Sequence, residues 1–277
     1  MLVFLNGQFV PEEQALIPVN DRGFLLGDGL FETLRVAGGR PFRLAHHLER
    51  LTRGADFLKI KSPFTPEELE MFARQLIDKN KMPEAILRLT LTRGPGGRGY
   101  TPPAESRSTV VMTIHPAPPV EKPVAWRLAT SPFAISAADP LASFKTTSKV
   151  LHVRARAEAV ERGADEALLV NTNGEVAETA SGNLFWIQDD TICTVPVECG
   201  ALPGITRATV LEICQALGLQ MGERAIKPAA LKKSGGIFIT QSLLGIVPVV
   251  AFDGAPVSPS PLVHQIARAY LEMLVQP

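Results

Sequence analysis

"EALLVNTNGEVAETASGNLFWIQDDTICTV", residues 166–195, is the stretch whose reading decides the fold. Its apolar runs "EALLV" and "EVAET" flank Asn173-Gly174, and "NLFWI" and "TICTV" flank Asp189-Asp190. Asn-Gly between apolar runs signals a tight hairpin, because the favoured turn needs positive φ at both central residues and these types tolerate it. Two successive hairpins, and so a sheet, are expected here. Upstream lie a strand, "VAWRLAT", and a helix from Ser148 to Arg162 that Gly163 stops. Downstream, Pro203-Gly204-Ile205-Thr206 leads into a helix with Val210, Leu211, Cys214 and Leu217 on one side.

The first half repeats this mixture. "MLVFLNGQFV" reads as strand, Asn6-Gly7 turn and strand. Leu44, Leu48, Leu51, Ala55 and Leu58 form one helical stripe. Thr65 caps a second helix, with Pro66 in its first turn and Glu68 closing a capping box; its buried face is Leu69, Phe72, Ala73, Leu76 and Ile77. "AILRLTL" and "TVVMTI" follow as strands. The four prolines of "PAPPVEKP" forbid a helix or central strand over 116–123, so that segment reads as a linker. The fold class is α+β in two domains, 1–115 and 124–277, each built around a sheet or barrel with flanking helices.

Composition narrows the functional classes. Lys plus Arg balances Asp plus Glu at 28 each, which argues against a sequence-independent nucleic-acid binder. Cys193, Cys199 and Cys214 form no CxxC pair, so buried thiols in a reducing cytoplasm are expected rather than disulfides or a zinc site. No run is long enough to span a bilayer, and the apolar amino terminus is too short for a signal peptide. The five histidines show no HExxH and no i, i+4 pair, which sets a histidine metal site aside.

Several residues can carry chemistry. Lys145, in "SFKTTS", enters a helix from a loop; a lysine in a partly apolar pocket can lose its proton and act as nucleophile or base, and Lys149 is a rival for that role. Glu178 ends a hairpin strand among Ala177, Thr179, Ala180, Ser181 and Gly182, small residues that let a flat ligand approach the backbone. "LPGITRATV" presents helix N-terminal amides suited to a phosphate dianion, unless Thr206 is a plain N-cap; Arg50 can balance that charge. "RGPGGRGY", residues 93–100, lacks the order of a P-loop and offers a surface turn or a clamp.

Together these pieces resemble the fold-type IV enzymes of pyridoxal 5'-phosphate (PLP), the class IV aminotransferase family that includes D-amino acid aminotransferases. The resemblance runs through "DRGFLLGDGLFETLRV", "HLERL", "FKTTSKVLHVRARAEA", "GADEALLVNTNGEVAETASGNLFWI" and "ALPGITRATVLEI". It implies that Lys145 holds PLP covalently, that Glu178 faces the pyridine nitrogen, and that Ile205, Thr206 and Arg50 hold the phosphate. Within the family, "RGPGGRGY" and "FITQSLLGIVPV" resemble aminodeoxychorismate lyases, with Ser242 and Leu243 near the phosphate. The chain departs from the branched-chain aminotransferase pattern at Val150, where a tyrosine is usual. The resemblance implies lyase action on 4-amino-4-deoxychorismate, with Arg98, and secondarily Arg93, as carboxylate clamp and Thr33 in proton handling. Aminotransfer on D-amino acids, branched-chain amino acids or amines is the alternative. A homodimer in the cytoplasm, acting on a small molecule without nucleic acid or membrane, completes the expectation.

Overall fold

Asn6 and Gly7 take φ of 49° and 95°, and Asp189 and Asp190 take 49° and 57°, so both turns adopt the left-handed geometry their hairpins require. In the computed structural model, which describes residues 1–118 and 124–275, the chain forms two compact units. The first comprises Met1–Pro118 together with Phe144–Ser148; the second holds the rest of the described chain. Of the expected linker, residues 119–123 lie outside the described residues.

The first unit contains β1 (Leu2–Leu5), β2 (Gln8–Pro11), α1 (Arg22–Leu26), β3 (Gly29–Ala37), β4 (Arg40–Pro41), α2 (Leu44–Leu58), α3 (Pro66–Asn80), β5 (Ala85–Thr92) and β6 (Thr109–Pro116). The strands form one antiparallel sheet in the order β2-β1-β6-β5-β3-β4. Period-2 alternation turns Leu30 and Leu34 of β3, and Leu87, Leu89 and Leu91 of β5, into the core. The α2 stripe Leu44, Leu48, Leu51 and Ala55 joins that core, as do Leu69, Ala73, Leu76 and Ile77 of α3. Each such leucine contributes about 1.5–3 kcal/mol by leaving water. The Thr65–Glu68 capping box forms in both directions, with bonds of 2.8 and 3.3 Å.

One segment departs from the expected division, in which the cofactor lysine belongs to the 124–277 domain. Phe144–Ser148 packs with the first unit. Phe31 donates its amide to the Lys145 carbonyl at 2.9 Å, and Thr147 donates to Gly29 at 2.9 Å. Phe144 stacks on Phe57 with ring centroids 4.5 Å apart.

The second unit contains β7 (Trp126–Ile135), α4 (Val150–Glu161), β8 (Glu166–Asn171), β9 (Val176–Thr179), β10 (Asn183–Gln188), β11 (Thr191–Thr194), α5 (Ile205–Ala216), β12 (Met221–Glu223), α6 (Pro228–Leu231), β13 (Ile237–Gln241), β14 (Gly245–Phe252), β15 (Ala255–Pro256) and α7 (Pro261–Val275). Its mixed sheet runs β12-β11-β10-β13-β14-β7-β8-β9, with β15 on β14 and with parallel pairs β7–β8, β7–β14 and β11–β12. Leu168, Val176, Leu184, Trp186, Ile239 and Val247 make its core. Leu217, expected on the buried side of α5, is exposed: it is the C-cap residue, one step past the last full turn.

Candidate functional site

In the first unit, the backbone bonds of Phe31 and Thr147 hold Lys145 against β3. Its Nζ lies 4.6 Å from the Phe31 ring centroid. Phe31 and Thr33 share one face of β3, and Arg88 pairs directly with Thr33 across the sheet. The Arg88 guanidinium lies 3.9 Å over the same Phe31 ring, so Phe31 meets two cations. The sequence marks Arg88 only as the polar phase of an alternating strand. Its contact with the ring that Lys145 also meets comes from strand register.

The opposite phase of β3 carries Glu32, fully buried. Arg50 donates its Nε–H to Oε1 at 2.8 Å and an Nη2–H to Oε2 at 2.7 Å, and His47 Nδ1 lies 2.6 Å from Oε2. Burial pushes the Glu32 carboxyl up, but the Arg50 and His47 hydrogen bonds overcome it and bring its pKa down to about 2. Burial pushes the His47 imidazole down, against the upward pull of Glu32. Arg50 is thus anchored by a carboxylate that "HLERL" alone does not reveal.

The glycine-rich loop after β5 is built on a second ionic cluster. Asp28 accepts from Arg22 Nε at 2.8 Å and from Arg93 Nε and Nη2 at 2.7 and 3.0 Å. Arg93 also donates to the carbonyls of Lys59 and Leu58 at 2.9 and 2.8 Å. This corrects the expectation for Arg93: it is buried, and its fork ties β5 to the end of α2 and to Asp28 rather than facing a substrate. Both arginines hold the Asp28 carboxyl below its usual range against the upward push of burial. Arg98, by contrast, is exposed near the loop tip. Fully buried Asp21 accepts from Thr92, Thr109 and the Gly23 amide at the loop's base.

In the second unit, Glu178 lies next to last in β9. The Leu202 amide donates to its Oε2 at 3.0 Å, and His152 Nε2 lies 3.2 Å from its Oε1. The other ring nitrogen of His152 is buried with no hydrogen-bond partner among the described residues. Glu166 steadies the neighbouring turn by accepting from Ser181 and from Arg156. The α5 N-cap is Gly204 rather than a threonine, with no side-chain cap, so Thr206 sits in the first turn. First-turn amides lack intrahelical acceptors, which leaves Ile205 and Thr206 able to receive an anion. A Cβ on Gly204 would strike Asn183 Oδ1, and Asn183 in turn donates to the Leu202 carbonyl at 2.7 Å. Ser242 and Leu243 are half-buried in the turn between β13 and β14. The nearby Thr240 hydroxyl, which sequence reasoning missed, is buried without a partner among the described residues. No group of three His, Cys, Asp or Glu among the described residues is arranged to hold a metal ion.

The sequence profile of class IV aminotransferases matches residues 29–252, from the start of β3 to the end of β14. The chain belongs to the class IV aminotransferase family. It is 33% identical over 255 residues to a putative branched-chain-amino-acid aminotransferase of Methanocaldococcus jannaschii, covering 92% of this chain and 88% of that one. It is 30% identical over 275 residues to a D-alanine aminotransferase of Bacillus licheniformis, covering 97% and 95%. The crystal structure of a putative 4-amino-4-deoxychorismate lyase from Legionella pneumophila superposes with a TM-score of 0.87 at 28% identity, covering 95% of this chain and 97% of that one. The fold is the fold-type IV fold of this family, and its cofactor is PLP. Each unit by itself holds groups of the kind that cofactor calls for: in the first, a lysine amine on an aromatic face; in the second, a carboxylate beside two nitrogen groups, and first-turn amides with no side-chain cap.

Proposed function

We propose that the chain is a PLP-dependent 4-amino-4-deoxychorismate lyase that releases 4-aminobenzoate and pyruvate. The observation that carries this reading is a pair of exposed arginines suited to a dicarboxylate: Arg98, on the "RGPGGRGY" loop, and Arg88, whose guanidinium lies over the Phe31 ring that Lys145 also contacts. An arginine fork pairs with carboxylates bidentately.

Lys145 would hold the cofactor, and Glu178 would keep a proton on its ring nitrogen. Bound PLP supplies an electron sink for the charge left when the C–H bond beside the substrate amine breaks. The α5 amides of Ile205 and Thr206, with Arg50, Ser242 and Leu243, would bind the phosphate. As a free amine, Lys145 Nζ would take the proton from the carbon bearing the substrate amine. It then returns the proton to the methylene of the departing enolpyruvyl group, which leaves as pyruvate. The Thr33 hydroxyl assists this transfer. Loss of that group makes the six-membered ring aromatic, which drives the step.

The named relatives favour a second reading, aminotransfer from D-alanine or a branched-chain amino acid. It shares the first proton transfer and differs in where Lys145 delivers the proton. The test is a product assay on 4-amino-4-deoxychorismate beside a panel of D- and L-amino acids. The lyase reading expects 4-aminobenzoate and pyruvate in equal amounts. Fast consumption of D-alanine or leucine with no 4-aminobenzoate would replace it by the second. Borohydride reduction should fix the cofactor on the wild type and not on Lys145→Ala.

The assembly we propose is a homodimer in the reducing cytoplasm. Three free, buried thiols support that compartment, and the exposed apolar side chains Leu16, Val19 and Phe24 of the first unit support a partner copy. No helix among the described residues is long and apolar enough to cross a membrane.

A further inference from the structure

The tip of the glycine-rich loop lacks the usual supports. A Cβ added at Gly97 or Gly99 would meet nothing within 4 Å, and Tyr100 is 87% exposed, so packing does not hold the tip. The last main-chain tie is the Gly96 amide to the Asn20 carbonyl at 3.1 Å; among the described residues no backbone–backbone bond reaches 97–101. One side chain reaches there instead. Arg22 Nη1 donates to the Gly99 carbonyl at 3.0 Å and toward that of Thr101 at 3.5 Å, and Nη2 donates to that of Tyr100 at 3.0 Å. Its Nε is committed to Asp28 Oδ2, which also accepts from Arg93. The Arg22 stem lies under Gly96, where its Cδ would stand 2.7 Å from an added Cβ. Arg22 itself is buried.

We propose that Arg22 is the positioning residue for Arg98: anchored on Asp28, its guanidinium gathers the three carbonyls that follow Arg98 and presents that side chain already formed for a carboxylate. The inference rests on the reading of Arg98 as the substrate clamp. It turns the loop from a pliable lid into a braced arm. A planar fork can serve three carbonyls and a carboxylate at once, whereas a lysine ammonium offers a point charge without that reach. Bracing the loop beforehand removes an ordering cost that binding would otherwise meet.

The experiment compares wild type, Arg22→Lys, Arg22→Ala, Arg98→Ala and the double variant Arg22→Lys/Arg98→Ala, all as holoenzyme. Amide hydrogen exchange over 96–103 reads the brace without reference to activity. Titration with 4-aminobenzoate, the carboxylate product, reads the clamp, and steady-state kinetics separate KM from kcat. We expect Arg22→Lys to exchange faster over 96–103 alone, to bind 4-aminobenzoate about tenfold more weakly, and to raise KM with kcat changed less than about threefold. The double variant should bind no more weakly than Arg98→Ala, because Arg22 acts through Arg98. Additive losses, or exchange unchanged in Arg22→Lys, overturn the inference. If Arg22→Ala fails to fold, Arg22→Lys, which keeps a cation near Asp28, carries the comparison. If Arg98→Ala binds 4-aminobenzoate as well as wild type, the clamp reading fails, and the exchange data still report whether Arg22 braces the loop.

Discussion

Replacing Glu32 by Gln should uncouple a large share of the first unit's stability from pH. Glu32 is fully buried between Arg50 and His47, and its pKa falls from 4.5 to about 2. That difference corresponds to about 3 kcal/mol of folding stability, at about 1.4 kcal/mol per pKa unit. The sign follows from the direction. A carboxyl depressed in the folded state contributes fully above its unfolded value of 4.5, and the contribution fades as pH falls toward about 2. The Gln variant lacks it at every pH and leaves the Arg50 cation buried without its carboxylate, a loss of about 3–5 kcal/mol in comparable cases. The two routes agree. Cofactor-free protein melted by circular dichroism at pH 7 should therefore show Glu32→Gln lower by about 6–12 °C, at about 2–4 °C per kcal/mol. The gap should close by about 1.4 kcal/mol per pH unit once the pH drops below the unfolded value. A gap under about 1 kcal/mol at pH 7, or one of the same size at pH 3.5, would refute the claim that Glu32 is a buried anion held by Arg50.

Two further outcomes concern the loop. Gly94 has φ +82° and no room for a Cβ against the Arg107 carbonyl, whereas Gly97 opens onto free space; thermal melts should show Gly94→Ala strongly destabilised, by about 2 kcal/mol or more, and Gly97→Ala within about 0.5 kcal/mol of wild type. Comparable melting temperatures for the two would mean the loop base is not built as described. Arg98→Ala should lower kcat/KM for the dicarboxylate by about 10–100-fold, as one charge-assisted bond implies, and unchanged kinetics would take Arg98 out of the site.

Much of the fold is legible in short-range patterns because the forces involved are short-range. The stripes of α2 and α3, the Thr65 capping box and the Asn6-Gly7 and Asp189-Asp190 turns each follow from residues a few positions apart, whose backbone preferences and apolar spacing act locally. The motifs around Lys145, Glu178 and "LPGIT" likewise lie in continuous segments, and the family could be read from them.

What only the tertiary structure decided are pairings between distant segments. Arg93 and Arg98 look alike in "RGPGGRGY", yet one is locked on Asp28 and the end of α2 while the other stands exposed. Glu32 and Arg50 reveal their ion pair only when α2 lies against β3. Arg88 meets Phe31 through strand register, and Phe144–Ser148 joins the first unit by bonding to β3 across more than a hundred residues of chain. A local pattern states which side chain is apolar and which backbone can turn. Which charge neutralises which depends on the path of the chain in space, because a buried ion is stable only where the fold brings its partner to it.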